Sequence, residues 1–446
     1  MKRVITYGTF DLLHEGHINL LRRAKALGDF LIVGVTSESY DRYRGKLNVK
    51  QSLAERVENI RTTRLADQIV IEEYEGQKID DIVKMNIDIF AIGSDWVGRF
   101  DYLKEYCEVV YLERTKGISS TDLRNEQHPL IRFGIAGSEN VANRFVVESK
   151  FVSGATVDGV FNPHHELAQE FCRKNELSFF SDDYQQFLKQ VNAVYVASPY
   201  ETHYGYVKEA LLAKKHVLCE TPIALTEAEA FKLFALAKEQ DVILMEAIKT
   251  AYCPGFQRLV SCAKSGRIGQ IISVDTTVTR LAPEKLREGT VSDRGGSMTE
   301  LVAYPLLAIL KLLGYGINDI HFTTYSQETD LFSRIDLWYP GAIATAKVGL
   351  GVKSEESLVI SGTRGYIYVP APWWKTEYFE LRYENPEDIE KHFYKFSGDG
   401  MRYEIVEFLE RISAKVMSEY ACELSCCIAK ILEYYNSSSD ITFIRK

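Results

Sequence analysis

Long apolar runs, paired cysteines and basic tracts are what this 446-residue chain lacks. No apolar run approaches the ~18 residues that cross a bilayer, so no membrane span is expected. The eight cysteines are scattered at Cys107, Cys172, Cys219, Cys253, Cys262, Cys422, Cys426 and Cys427, with no CxxC pair. Zinc-ligand spacing is therefore missing, and a reducing, cytoplasmic setting is expected. Cys422, Cys426 and Cys427 fall in a helix-like segment and read as small apolar packing. The net charge is −9 and no dense Lys/Arg cluster appears, which argues against a nucleic-acid or anionic-membrane partner. Low-complexity tracts and short repeats are also missing. The opening MKRVITYGTF reads as a first strand and not as a cleaved signal.

What is there is ordinary globular composition, 46% hydrophobic and 26% charged, in a length that calls for two or three units. Apolar runs at Val4–Tyr7, Phe30–Val35, Ile69–Ile71, Ile87–Ile92 and Val109–Leu112 predict strands. Helical patterns lie between them at His17–Leu27, Leu53–Arg64, Lys78–Met85 and Asp101–Tyr106. That alternation predicts a parallel sheet covered on both faces. NEQHP, Asn125–Pro129, reads as a linker, and IRFGIAGSENVANRF then starts a second strand–turn–helix unit. Beyond about residue 250, β-branched and aromatic alternation predicts a mostly antiparallel sheet, closed by helices at Tyr403–Val416 and Glu423–Tyr435. The expected fold is α/β: a Rossmann-like domain over 1–128, a second Rossmann domain over 129–250, and an open-sheet α+β domain over 251–446.

Chemistry concentrates first in GTFDLLHEGH, Gly8–His17. Gly8 and Thr9 end the first strand at the carboxyl edge, where such sheets bind ligands. Gly16 lets a phosphate approach backbone at a helix start, and His14 and His17 flank it as hydrogen-bond donors. Ordinary polar residues at a helix start would explain the two histidines taken alone. A second element, RTKGISSTDLR, follows the last strand of the same half. It offers Arg114, a flexible Gly117, and hydroxyls on Thr115, Ser119, Ser120 and Thr121 for gripping a polyphosphate.

GTFDLLHEGH and RTKGISST, with IGSDWVGRFDYLKEYCEVVYLERT between them, resemble the cytidylyltransferase family, specifically its glycerol-3-phosphate branch. The resemblance implies transfer of CMP from CTP to a phosphorylated alcohol, with Mg2+ or another divalent metal. His14 and His17 would stabilise the transferring phosphate, and Lys46 and Arg114 would contact phosphates. Thr9, Phe10, Asp11, Gly16, Thr115, Gly117, Ile118, Ser119 and Thr121 would line the nucleotide pocket. Asp95 and Trp96 would face cytosine or acceptor, with Arg56 and Arg64 as basic support. A solvated basic face is the competing reading for Lys46, Arg56 and Arg64.

In the second half, FGIAGSENVANRF, AVYVASPYETH, KHVLCETPIALT, LMEA, GGSMTELVAYPL and GDGMRYEIVEFL resemble the Gfo/Idh/MocA oxidoreductase family in order. The resemblance implies hydride transfer with NAD or NADP. It places cofactor contacts at Gly137, Asn140, Val141, Ser198, Pro199, His203, Glu220 and Pro222, and a proton donor at Tyr304. Two rules are broken. Glu139 stands where a dinucleotide turn wants its second glycine, and Thr221 replaces the lysine of Glu-Lys-Pro. The second strand ends at Phe161–His165 with neither an acid for a ribose hydroxyl nor an arginine for a 2′-phosphate. Tyr304 reads equally as a packed core tyrosine. Lys249 offers a replacement cation, although a lone lysine is ordinarily a surface residue.

Together these features lead to a bifunctional enzyme making a CDP-polyol such as CDP-glycerol for a capsule or teichoic-acid-like polymer. The alternative is a cytidylyltransferase carrying a non-catalytic oligomerisation or sensing module. A homo-oligomer, a dimer, is expected in either case.

Overall fold

Short β-branched runs between amphipathic helices build the first part of the chain. The computed structural model describes residues 1–43, 49, 51–74, 76–113, 130–282, 295–327 and 329–444. The described chain divides into two compact units, Met1–Leu130 with Val152–Gly154, and Ile131–Phe151 with Ala155–Lys446.

The first unit holds a parallel five-stranded sheet of β1 (Arg3–Gly8), β2 (Phe30–Thr36), β3 (Gln68–Glu72), β4 (Ile89–Gly93) and β5 (Glu108–Leu112), ordered β3-β2-β1-β4-β5. Side chains alternate across a strand, so neighbouring apolar residues serve opposite faces. Val4, Leu31, Val33, Ile89 and Ala91 pack with Leu21 and Ala24 of the helix Glu15–Lys25 and with Ile60 of the helix Leu53–Thr62. Ile5, Ile32, Phe90 and Ile92 take the other face, with Ile82 and Leu103. Both faces are covered, which is why the strands read as continuous apolar runs. A capping box between Ser52 and Glu55 starts the helix Leu53–Thr62. A short helix, Glu38–Tyr43, was not expected, and the expected helix at Asp101 is a 3-10 turn over Asp101–Glu105.

The second unit begins with a parallel sheet of β6 (Ile131–Ala136), β7 (Ala155–Phe161), β8 (Phe179–Ser181), β9 (Ala193–Val196), β10 (His216–Glu220) and β11 (Leu244–Ala247), ordered β11-β10-β9-β6-β7-β8. Nine further strands form a mixed sheet: β12 (Ile271–Thr279), β13 (Asp319–Ser326), β14 (Asp330–Tyr339), β15 (Ala342–Gly349), β16 (Leu358–Gly362), β17 (Gly365–Val369), β18 (Tyr378–Tyr383), β19 (Ile389–Phe393) and β20 (Ile441–Phe443). Their order is β19-β18-β17-β16-β12-β15-β14-β13-β20, antiparallel except where β12 meets β15 and β13 meets β20. The almost wholly apolar helix Ala303–Leu313 packs on β12 and β15. No helix among the described residues is long and apolar enough to cross a membrane.

Candidate functional site

In the first sheet the strand order reverses between β1 and β4, so a crevice opens beyond Gly8 and Gly93. The turn leaving β1 puts Phe10 and Leu12 at φ 53° and 48°, a left-handed conformation that costs side-chain-bearing residues energy. Neighbours hold it there. The Phe10 ring is buried in the core, Gln51 N–H donates to Asp11 Oδ1 at 3.0 Å, and Leu12 N–H donates to Gln51 Oε1 at 2.8 Å. The Phe10 side chain thus belongs to the core, leaving its backbone as the part that can meet a ligand.

That turn delivers the two histidines together. Their rings stack at 3.9 Å between centroids, and His17 also meets the Phe10 ring edge-on at 5.4 Å. His14 caps the helix Glu15–Lys25, its Nδ1 accepting the Gly16 N–H at 3.1 Å. In the neutral ring the proton then sits on Nε2, which becomes a hydrogen-bond donor.

Thr9 and Asp11 are buried beside the pair, and Asp95 with Trp96 follows β4 at the same edge. Arg56 is wholly buried. Its Nη1 donates to the Thr9 and Thr36 carbonyls at 2.9 and 2.8 Å and pairs with Asp41 at 3.2 Å. Asp41 also accepts the Thr9 hydroxyl at 2.9 Å. Among the described residues Arg56 Nη2 has no acceptor, an unpaired buried donor beneath the turn.

Arg64 is a correction. The helix carrying Arg56 runs about 15 Å away from this edge before Arg64 follows it. Asp67 N–H then bonds the Leu31 carbonyl at the amino end of β2, so Arg64 belongs to the opposite edge. Lys46, Arg114, Thr115, Gly117, Ile118, Ser119 and Thr121 lie outside the described residues. Sequence reasoning missed Asp41 and also Lys78, a buried cation paired with Glu72 and lying 4.8 Å over the Tyr7 ring. Asp41 meets Thr9 and Arg56, and Lys78 meets the Tyr7 ring, from afar in sequence, contacts no local spacing marks.

The second site sits at the equivalent reversal, between β6 and β9. Gly137 has φ +117°, and a Cβ there would meet the Ala197 carbonyl oxygen at 2.3 Å, so only glycine fits. The turn passes through Ser138 and Glu139 into the helix Asn140–Ser149, which Glu139 precedes without capping it through its side chain. A cavity of about 650 Å³ opens here and unites the expected residues Asn140, Val141, Ser198, Pro199, His203, Glu220, Pro222 and Tyr304. His203 has a structural job within that wall. Its two ring nitrogens lie 2.8 Å from the Ser198 and Pro222 carbonyls, tying the two loops together. Burial holds the His203 pKa below the ordinary value.

Tyr304 is partly accessible from the cavity, and burial followed by Glu220 and Glu404 pushes its hydroxyl pKa far up. Burial likewise raises Glu220, against a hydrogen bond from Tyr195 and the charge of Lys249. Glu300 is held by Arg280 at the cavity wall. Lys249 is a second correction. Its side chain is only 15% exposed and lines the cavity, pairing with Asp399 at 3.2 Å.

These residues fit a dinucleotide. The close backbone approach at Gly137 and the helix start at Asn140 form a diphosphate cradle. Glu139 opposes it, but the carboxylate is exposed, and two like charges about 4 Å apart in water cost about 1 kcal/mol. The helix terminus returns about 0.3–1 kcal/mol, so Glu139 weakens the site without closing it. At the end of β7, Asn162 spends its side chain on Ser138 Oγ at 2.8 Å and on His164 N–H at 2.9 Å.

Comparison with known proteins follows the same division. Residues 5–126 match the family described as cytidylyltransferase-like, and residues 131–248 match the oxidoreductase family with an NAD-binding Rossmann fold. Glycerol-3-phosphate cytidylyltransferase of Bacillus subtilis is 49% identical over 126 residues, 28% of this chain and 97% of that protein. From the same organism, scyllo-inositol 2-dehydrogenase (NADP(+)) IolU is 26% identical over 328 residues, 70% of this chain and 98% of its own length. In fold, KijD10, a 3-ketoreductase from Actinomadura kijaniata solved with NADP and TDP-benzene, aligns at TM-score 0.64 and 20% identity, covering 71% of this chain and all of that one. The chain belongs to the cytidylyltransferase-like family through its first unit, and its second unit is similar to the Gfo/Idh/MocA oxidoreductase family, whose model matches residues 131–248.

Proposed function

We propose that the first unit transfers CMP from CTP to a small polyol phosphate, glycerol phosphate being favoured, to give a CDP-polyol such as CDP-glycerol. The second unit reduces a phosphorylated keto- or aldo-sugar with NADH or NADPH to supply that polyol phosphate. The product would serve a capsule or teichoic-acid-like polymer. The stacked His14–His17 pair at a helix start carries the first assignment. It supplies preorganised donors where charge develops on the transferring phosphoryl group, each worth about 10²–10³ in rate. Lys46, Arg114 and the hydroxyls of the Arg114–Arg124 segment are assigned to the phosphates by family match alone. Among the described residues no cluster of three or more His, Cys, Asp or Glu forms a metal cage. The divalent cation is therefore assigned to the triphosphate itself.

For the second unit, Tyr304 would give its proton to the carbonyl oxygen, and a nicotinamide cofactor held at the Gly137 turn and the Asn140 helix start would supply the hydride. Glu139 and Thr221 favour a second reading, a retired module that senses a ligand or holds a dimer together.

Full-length protein with CTP, Mg2+ and a panel of alcohol phosphates should release pyrophosphate, with CTP strongly preferred over ATP. Comparable rates with ATP would mean the wrong nucleotide branch. With NADPH or NADH and dihydroxyacetone phosphate or a ketopentose phosphate added in place of the alcohol, a CDP-polyol should form. Lack of cofactor oxidation with all of them, together with no NADPH or NADH binding, would favour the retired module.

A further inference from the structure

A tyrosine that gives up a proton leaves a phenolate behind, and the surroundings of Tyr304 resist that charge. Glu220 and Glu404 both oppose it, and burial adds to their effect. The step therefore needs a nearby cation. Residue 221, next to Glu220 on the cavity wall, is threonine and cannot provide one.

Lys249 can. It follows β11, lines the same cavity, and acts on both Glu220 and Glu404, drawing each back towards the ordinary carboxylate range. Its ammonium lies 3.2 Å from Asp399 Oδ2 as a charge pair, and Arg144 lies 3.0 Å from the same oxygen. Asp399 is itself set in place by its flanks. Gly398 and Gly400 have φ +64° and +84°, and a Cβ on Gly398 would meet Glu148 Oε1 at 2.1 Å. Arg144 is the other cation within reach and eases the Tyr304 charge directly, while Asp399 opposes it, but the Arg144 side chain is 53% exposed against 15% for Lys249. Water screens the former far more.

We propose that Lys249, held by Asp399, is the positioning charge that lets Tyr304 act as proton donor, the task residue 221 cannot perform. This rests on the reading of the second unit as a reductase. In the balanced step the carbonyl carbon gains hydride from the reduced nicotinamide. The carbonyl oxygen takes the Tyr304 proton, and water reprotonates the phenolate. A purely structural lysine would instead neutralise the acids without regard to Tyr304.

The test is a double-mutant cycle on the full chain with NADPH and dihydroxyacetone phosphate or a ketopentose phosphate. K249M should lower kcat by about 10²-fold, and K249R should recover most of it. NADPH affinity, read by cofactor fluorescence, should stay within about threefold, because the cradle at Gly137 is untouched. D399N should lower kcat less and displace the kcat–pH profile, since Asp399 pairs with the ammonium and with Arg144, Glu220 and Glu404 act on the ammonium, and Tyr304 lines the same cavity. In Y304F the K249M loss should disappear. Additive losses, or turnover that survives K249M, would overturn this proposal while leaving the reductase reading intact. An inactive parent protein that still binds NADPH overturns both. Should K249M fold poorly, D399N in the Y304F background makes the same comparison.

Discussion

In both parallel sheets the chain reverses beside its first strand, between β1 and β4 in one and between β6 and β9 in the other. Each reversal leads through a tight turn into a helix whose N-terminus faces the crevice. The residue before that helix is His14 in the first sheet and Glu139 in the second. One turn adds donors to a positive helix end, and the other sets a carboxylate in front of it. The supporting cations differ as well. Arg56 is buried in the first sheet and bonded largely to backbone, so it fixes a turn, with one donor lacking an acceptor among the described residues. In the second, Lys249 is bonded to a side chain at the cavity wall. On the proposed reading, the same scaffold serves phosphate in one place and proton and hydride movement in the other.

The largest expected effect tests the redox side. Tyr304→Phe removes one oxygen and should slow hydride transfer by about 10²–10⁴, the range for a general acid. Measured beside it in one sample, CTP turnover should be unchanged. Redox turnover that survives would make Tyr304 a packing residue and dissolve the contrast. Next comes the buried pair of the first unit. Arg56→Met strands Asp41 without its cation and should cost that unit about 3–5 kcal/mol, seen as an earlier first transition in urea. A transition that does not move would show that Arg56 is not the clip joining Thr9, Thr36 and Asp41.

The histidines follow. His14→Ala also loses a cap, worth about 0.5–2 kcal/mol, so His14→Asn is the cleaner change because asparagine still caps. Both His14→Asn and His17→Ala should lower CTP turnover by about 10²–10³ with the melting temperature little altered by His14→Asn. Near-normal turnover in either would remove the histidines from the phosphate site.

The strands, the two restarts and the histidine turn were legible because side-chain period and motif spacing are local properties. Long-range pairing is not. Asp41 bonds Thr9 and Arg56, and Asp399 bonds Lys249 across 150 residues of chain, yet neither belongs to any local pattern. Arg64 was assigned to the site because a helix written in one dimension does not show which sheet edge its end reaches. Phe10 sat inside a functional motif, and only packing reveals that its ring supports the core and His17. Lys249 carries no local mark of burial, and its pairing with Asp399 comes from a segment 150 residues away.

The smallest effect bears most directly on the contrast between the two turns. Glu139→Gly restores the small residue a dinucleotide turn prefers and removes a negative charge from the diphosphate cradle. Because Glu139 is exposed, water screens it, and a like charge about 4 Å away costs about 1 kcal/mol. Removing it should tighten NADPH binding about fivefold, since 1.4 kcal/mol is tenfold. The gain should shrink as salt rises, because exposed charges are screened within about 10 Å at 0.1 M ionic strength. Two opposing costs are small. Glu139 has φ −73° and its side chain makes no cap bond, so glycine loses no helix cap there and adds backbone freedom. Fluorescence titration of parent and variant at low and high salt reads the result. A salt-dependent gain assigns the charge to the cofactor phosphates. Unchanged affinity at both salts would mean the carboxylate points away from the diphosphate, and the turns would then differ in residue but not in field.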